Sequence, residues 1–166
     1  MQVVFKKGEN FDFIEAHQAS GAVVTSSFPK KGVIPHDAVH LIVERELNYK
    51  ASFWGRVFAG ARPEDVAEIS KAGGHSSASR AEVPDQSIVE LIQTERIVEC
   101  FETEMWSSHA DIATFRGVLE AACSQSKVEC PLVDDHAIKA IRLELTKFFD
   151  HWRGLEIGES VVLEWY

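Results

Sequence analysis

The apolar residues change period twice along this chain, and that change restricts the fold more than any single motif does. Near the N-terminus they alternate. Val3 and Phe5 share one side, the turn signal Lys7-Gly8-Glu9-Asn10 follows, and Phe11, Phe13 and Glu15 continue the alternation. A second turn, Gln18-Ala19-Ser20-Gly21, leads into Ala22-Val23-Val24. Three short strands on tight turns make an antiparallel meander. A further strand-like run, Ser160 to Trp165, follows Gly154 and Gly158. Three short strands are marginal alone, so this last one is expected to join the sheet.

Between these ends the period is helical. Pro35 suits a first helical turn, and the pattern runs from there to about Leu47. Pro63-Glu64-Asp65 opens a short helix that stops at Gly73-Gly74, and Gly73 to Pro84 reads as a loop of small and polar residues. Asp85 then caps a long helix reaching about Trp106, its apolar arc set by Ile88, Leu91, Ile92, Val98, Met105 and Trp106. The next helix, about Ala110 to Ser124, presents Ile112, Phe115, Val118, Leu119 and Ala122 on one face. The last starts at Asp134 and carries Ile138, Ile141, Leu145, Phe148, Phe149 and Trp152. The expected fold class is α+β: a mostly helical cluster packed on a small antiparallel sheet formed by the N-terminal meander and the C-terminal strand. A length of 166 residues fits one domain, 1–166.

Charge narrows the partners. The formal net charge is −9, and no basic stripe interleaved with aromatics is present, so nucleic acid and anionic membrane surfaces are not expected. No apolar run approaches the ~20 residues of a membrane span, and the N-terminus lacks the pattern of a signal peptide. Cys100, Cys123 and Cys130 are odd in number and lack CxxC spacing, which favours a reducing compartment, taken as the cytoplasm. A small molecule or a protein partner fits better; oligomeric state has no signature.

The candidate site opens at His36-Asp37-Ala38-Val39-His40. Residues four apart lie on one helical face, so the two imidazoles can converge on one metal ion. Spacing alone is weak: seven histidines in 166 positions supply roughly 0.3 such pairs by chance. Val43 and Leu47 continue the stripe, which turns that face inward, with Glu44 one turn past His40. The long helix adds weight. At about 100° per residue, Glu95, Glu99 and Glu102 fall inside its apolar arc, while Glu90, Gln93 and Glu104 supply a polar side. A carboxylate stripe on an apolar face asks for a counter-charge. A metal shared with the histidines, a network with His⁺ or with Arg56, Arg80 or Arg142, or simple solvation would each answer it.

The HDxxH stretch, His36-Asp37-Ala38-Val39-His40, resembles the HExxH motif of zincin metallopeptidases over five residues, with Asp37 at the general-base position. Asp is one methylene shorter than that family's Glu. The stretch also resembles the HDxxH zinc motif of ubiquinone-biosynthesis proteins, in which a Glu follows twelve residues after the second His; here that residue is Ser52. Gly32 to His40 is similar to a phrase in uncharacterised bacterial proteins, a resemblance that implies no function.

The expectation is therefore a metal-binding protein, with a metal-dependent hydrolase as its enzymatic form. His36 and His40 would be ligands with Glu95 or Glu99, and Asp37 would be the catalytic group that orients or deprotonates water. The cofactor is a divalent metal, zinc first, with iron or manganese suiting the same donors, or none. Phe53 and Trp54, in Phe53-Trp54-Gly55-Arg56-Val57-Phe58, would line a ligand pocket with Glu44 and Glu102, although such clusters are commonly core. His75 sits in the Gly73–Pro84 loop. No phosphate-binding glycine loop and no G-x-S-x-G elbow is present. The alternative is non-enzymatic: an acidic domain for a small apolar ligand or protein partner, its His and Glu groups forming a structural network.

Overall fold

The computed structural model describes residues 1–18, 20–30, 32–72 and 83–166, apart from the side chains of residues 70 and 71. Strands β1 (Gln2–Lys6), β2 (Phe11–His17), β3 (Val23–Pro29) and β4 (Ser160–Glu164) form one antiparallel sheet in the order β3-β2-β1-β4. The C-terminal strand thus completes the meander by pairing with β1. Cross-strand partners share a face, so Phe5 brings Ile14 and Val161 inward with it, and Val3 brings Ala16. This register corrects the expected side of β2. Asp12, Ile14 and Ala16 are buried, whereas Phe11 and Phe13 are exposed. Asp12 is tolerated inside because its Oδ1 accepts a 3.0 Å bond from the Gly8 amide and Lys30 Nζ lies 3.7 Å away.

The helices α1 (His36–Leu47), α2 (Phe53–Phe58), α3 (Pro63–Ala72), α4 (Val89–Trp106), α5 (Ile112–Gln125) and α6 (Asp135–Gly154) share one apolar core with the sheet's inner face. Among the described residues, none is long and apolar enough to cross a membrane. The aspartates at helix starts act as caps: Asp111 Oδ1 accepts from Thr114 N at 2.9 Å and Asp134 Oδ1 from Ala137 N at 2.7 Å. Asp85 caps a single 3₁₀ turn, Gln86–Ile88, which runs on into α4. Central to the cluster is α1, whose residues Ala38 to Glu44 are all buried between α4, α6 and α2. Phe5 connects sheet to helices through edge-on contacts with Trp54, 6.4 Å between centroids, and Phe148, 5.8 Å.

Two expected helix faces need correction. Because α4 is flanked by α1 on one side and α5 on the other, its burial wraps around Thr94, Ile97, Val98, Cys100, Phe101 and Glu104. Trp106 lies outside that surface and is exposed, while Leu91 and Met105 are half-buried. Glu104, expected on the polar side, is buried: Arg142 Nη2 and Nε bond its carboxylate at 2.6 and 2.9 Å, and the Ala110 amide adds a third bond at 3.1 Å. On α5, Val118 faces solvent, and Phe115, Leu119 and Cys123 make the inner face. The loop expected from Gly73 falls outside the described residues as far as Glu82, and with it His75 and Arg80.

Helix α2 is absent from the sequence expectation, since six residues with a central glycine carry too little period to read. Gly55 is required there, because a Cβ would press into the backbone of Lys50. Gly117, inside α5, has open space where a methyl group would stand. The two glycines should respond oppositely to alanine. Gly55→Ala is expected to cost about 1–3 kcal/mol through overpacking. Gly117→Ala is expected to gain about 0.8–1.0 kcal/mol from helix propensity. Urea unfolding of both variants checks this, and equal effects at the two sites would contradict it.

Candidate metal centre

The site forms where the first turn of α1 faces the α1-side flank of α4. Pro35 precedes α1 with its carbonyl accepting from Ala38 N at 3.0 Å, so the helix starts with His36 at its rim. One turn on, His40 is buried and its ring lies 4.7 Å from that of His36, edge to face. Glu95 reaches across from α4. Its Oε2 lies 3.1 Å from His40 Nε2 and its Oε1 3.8 Å from His36 Nε2. One carboxylate therefore faces the Nε2 atoms of both rings. One ligand atom from each of His36, His40 and Glu95 lies within 4.8 Å of the other two.

The remaining ring nitrogens are also held by carboxylates. His36 Nδ1 is 2.9 Å from Glu102 Oε1, and His40 Nδ1 is 3.1 Å from Glu44 Oε1. Glu44 is fully buried. Its second oxygen accepts from the Trp54 amide at 2.7 Å and the Gly55 amide at 3.3 Å, which caps α2 in place of a Ser52 side-chain cap. The indole of Trp54 returns the connection, donating from Nε1 to the Asp37 carbonyl at 2.8 Å.

This setting moves the acid–base groups. Burial pulls both histidines down, but the carboxylates outweigh it. Glu102 and Glu95 push His36 up to about 10, and Glu44 and Glu95 push His40 up to about 9. Burial raises Glu95, yet hydrogen bonds to the two histidines overcome that and hold it well below the usual carboxylate range. Burial raises Glu44 and Asp37 against the opposing pull of the nearby histidines.

Of the residues expected at a site, the structure brings His36, His40 and Glu95 together as one donor set. Glu102 and Glu44 stand behind the histidines rather than lining the cavity in front of them. Glu99 lies apart: it turns outward on α4, and Arg96 Nη2 pairs with it at 2.9 Å. Asp37, Phe53, Val66, Ala67 and Leu91 join the donor set around a cavity of about 190 Å³. Trp54 borders a different cavity, on the sheet side of Asp37. A larger cavity of about 290 Å³ at the far end of α4 has Glu104 and Arg142 among its lining, but those two charges are engaged with each other. The sequence reading missed the cap on α2 and the Arg142–Glu104 pair, for which no local spacing gives a signal.

The pH response of the metal-free protein follows from these shifts. A histidine raised from 6.5 on folding stabilises the fold fully below about pH 6.5, and loses that contribution as pH rises through 9 to 10. Glu95 contributes the reverse limit, its share disappearing only as pH falls below about 4.5. In EDTA, the protein should therefore unfold at a lower temperature near pH 9.5 than near pH 6.5. The difference should shrink in the His36→Gln/His40→Gln double variant. Matching pH slopes in the two proteins would count against the network.

Comparison with protein-family models, curated proteins and solved structures finds no match to this chain. Its chemistry is read from the geometry of the site.

Proposed function

We infer that the chain binds a divalent transition metal through His36 Nε2, His40 Nε2 and a carboxylate oxygen of Glu95. The observation carrying this reading is that a single carboxylate faces both Nε2 atoms while both Nδ1 atoms have carboxylates of their own. Two donors at ~2.0–2.1 Å from a tetrahedral ion stand roughly 3.3 Å apart. The Nε2-to-carboxylate distances of 3.1 and 3.8 Å bracket that value. Glu102 and Glu44 then act as the outer carboxylates that fix ring orientation and raise ligand basicity. Two imidazoles with one carboxylate suit zinc first, and iron or manganese by the same donor chemistry.

With three protein donors, such an ion supplies Lewis acidity at its open positions, the requirement for a metal-dependent hydrolase. Asp37 is the proposed proton acceptor. Its side chain borders the same cavity, and burial strengthens its hold on a proton. A cytoplasmic location accords with this reading, because Cys100, Cys123 and Cys130 are free thiols. A second reading is favoured by the hydrogen bonds themselves: every ring nitrogen of the two histidines has a carboxylate neighbour, as a purely structural network in a non-enzymatic binding domain would.

Metal titration of untagged protein separates the two. Cobalt(II) absorbance and elemental analysis should give about one ion per chain, lost in His36→Ala and Glu95→Gln and kept in Glu99→Gln. Glu102→Gln should weaken binding by about 10–100-fold. Circular dichroism confirms folding of each variant. No uptake by the folded wild type, or uptake indifferent to both His36→Ala and Glu95→Gln, leaves the structural network as the reading.

A further inference from the structure

Asp37 and Phe53 each line two cavities. One is the 190 Å³ space in front of the donor set. The other, about 260 Å³, lies between the sheet and α3, with Ile14, Ala16 and Val24 on the strands and Trp54 and Pro63 opposite. Its polar lining is Ser26, Glu64 and the shared Asp37. Either space alone falls short of the roughly 300 Å³ at which ligand pockets begin, and a ligand that spanned both past Asp37 and Phe53 would have a volume in that range. An apolar cavity of about 150 Å³ already accepts a benzene ring.

The two spaces differ in charge. The metal-side space holds His36 and His40 beside Glu95 and Asp37, whereas the charged groups described along the sheet-side groove are Asp37 and Glu64, both carboxylates. Asp37 lines both. Its carboxylate makes no hydrogen bond or ion pair among the described residues, and no lysine or arginine is among the described residues that line either space. In the groove an anionic group would meet Asp37 and Glu64 with no cation among the described lining, while an apolar body would desolvate no polar group of the sheet wall except Ser26.

We propose that the groove between β2, β3 and α3 is the substrate-body subsite of the metal centre, and that it takes an uncharged small molecule with a compact apolar group, a single ring or branched alkyl, joined to one metal-coordinating oxygen function. The inference rests on the metal reading. Asp37 and Phe53 mark the point where the apolar body passes into the polar function. Specificity then comes from shape and from exclusion of negative charge, since the groove offers one hydroxyl, that of Ser26, for hydrogen bonding.

Hydroxamates test this, because their chelating group is constant while the body varies. The probes are acetohydroxamate, benzohydroxamate and 4-carboxybenzohydroxamate, titrated into cobalt(II)-loaded protein and read by the visible spectrum. Benzohydroxamate should bind at least about tenfold more tightly than acetohydroxamate, through burial of the ring. The added carboxylate should remove most of that gain. Ser26→Phe, which fills the groove from an exposed strand position, should bring the benzo-to-aceto ratio near one, and Val162→Phe on β4 should preserve it. Taking the ratio within each protein cancels any general change at the metal. A wild-type ratio near one, a ratio unmoved by Ser26→Phe, or equal binding of the carboxylated probe overturns the proposal while the metal reading stands. Failure to take up cobalt overturns both.

Discussion

Glu44 is a carboxylate with no path to water, and much of the molecule is arranged around that fact. A buried charge or buried acid is costly unless its oxygens are bonded, and here each oxygen has its own obligation. One meets the His40 ring; the other closes the amino end of α2. The same side chain therefore fixes an imidazole and the start of a helix that carries Phe53 and Trp54. Trp54 in turn secures the Asp37 carbonyl in the first turn of α1. This loop of interactions explains why α2 exists at all, since six residues of its composition would not hold a helix alone.

The opposite side of the site rests on a different balance of charge. Glu95 and Glu102 come from the flank of α4 that meets α1, where they are partly solvated, unlike Glu44. Their positions convert the first turn of α1 from a mere helix start into a polar cluster beside an apolar groove. The Arg142–Glu104 pair has a comparable part on the far flank of α4, tying it to α6 and to the start of α5 through Ala110. Thus α4 carries carboxylates on both flanks, and each flank has its own cations.

Much of this is legible in the residues. The strand–helix–strand order comes from period, and the α+β class with its C-terminal strand beside β1 follows from it. The i, i+4 histidines and the like-charged glutamates identify two helix faces whose meeting the structure shows. Periodicity fails where a helix has more than one buried side. In α4 a single arc places Glu104 outside and Trp106 inside, and the two flanking helices reverse both. It fails in β2 because Asp12 is a buried polar residue flanked by exposed Phe11 and Phe13, the reverse of simple alternation. Glu95 and Glu99 look equivalent in sequence, being one turn apart on the same helix; their difference is tertiary, since α1 lies opposite one and Arg96 claims the other. The bond from Glu44 to the amides of Trp54 and Gly55 spans ten and eleven residues and matches no local capping pattern.

The hydrogen bonds from Glu102 and Glu44 to the Nδ1 atoms have a consequence for the order of events in the life of the protein. Small zinc modules collapse only when the ion arrives, because nothing else holds their ligands in place. Here both rings are oriented by carboxylates belonging to the fold, and Glu44 is anchored independently by the amino end of α2. On the proposed metal reading, chain collapse and ion acquisition would be separable: the polypeptide would reach its shape first and be loaded afterwards, with the ring orientations already set.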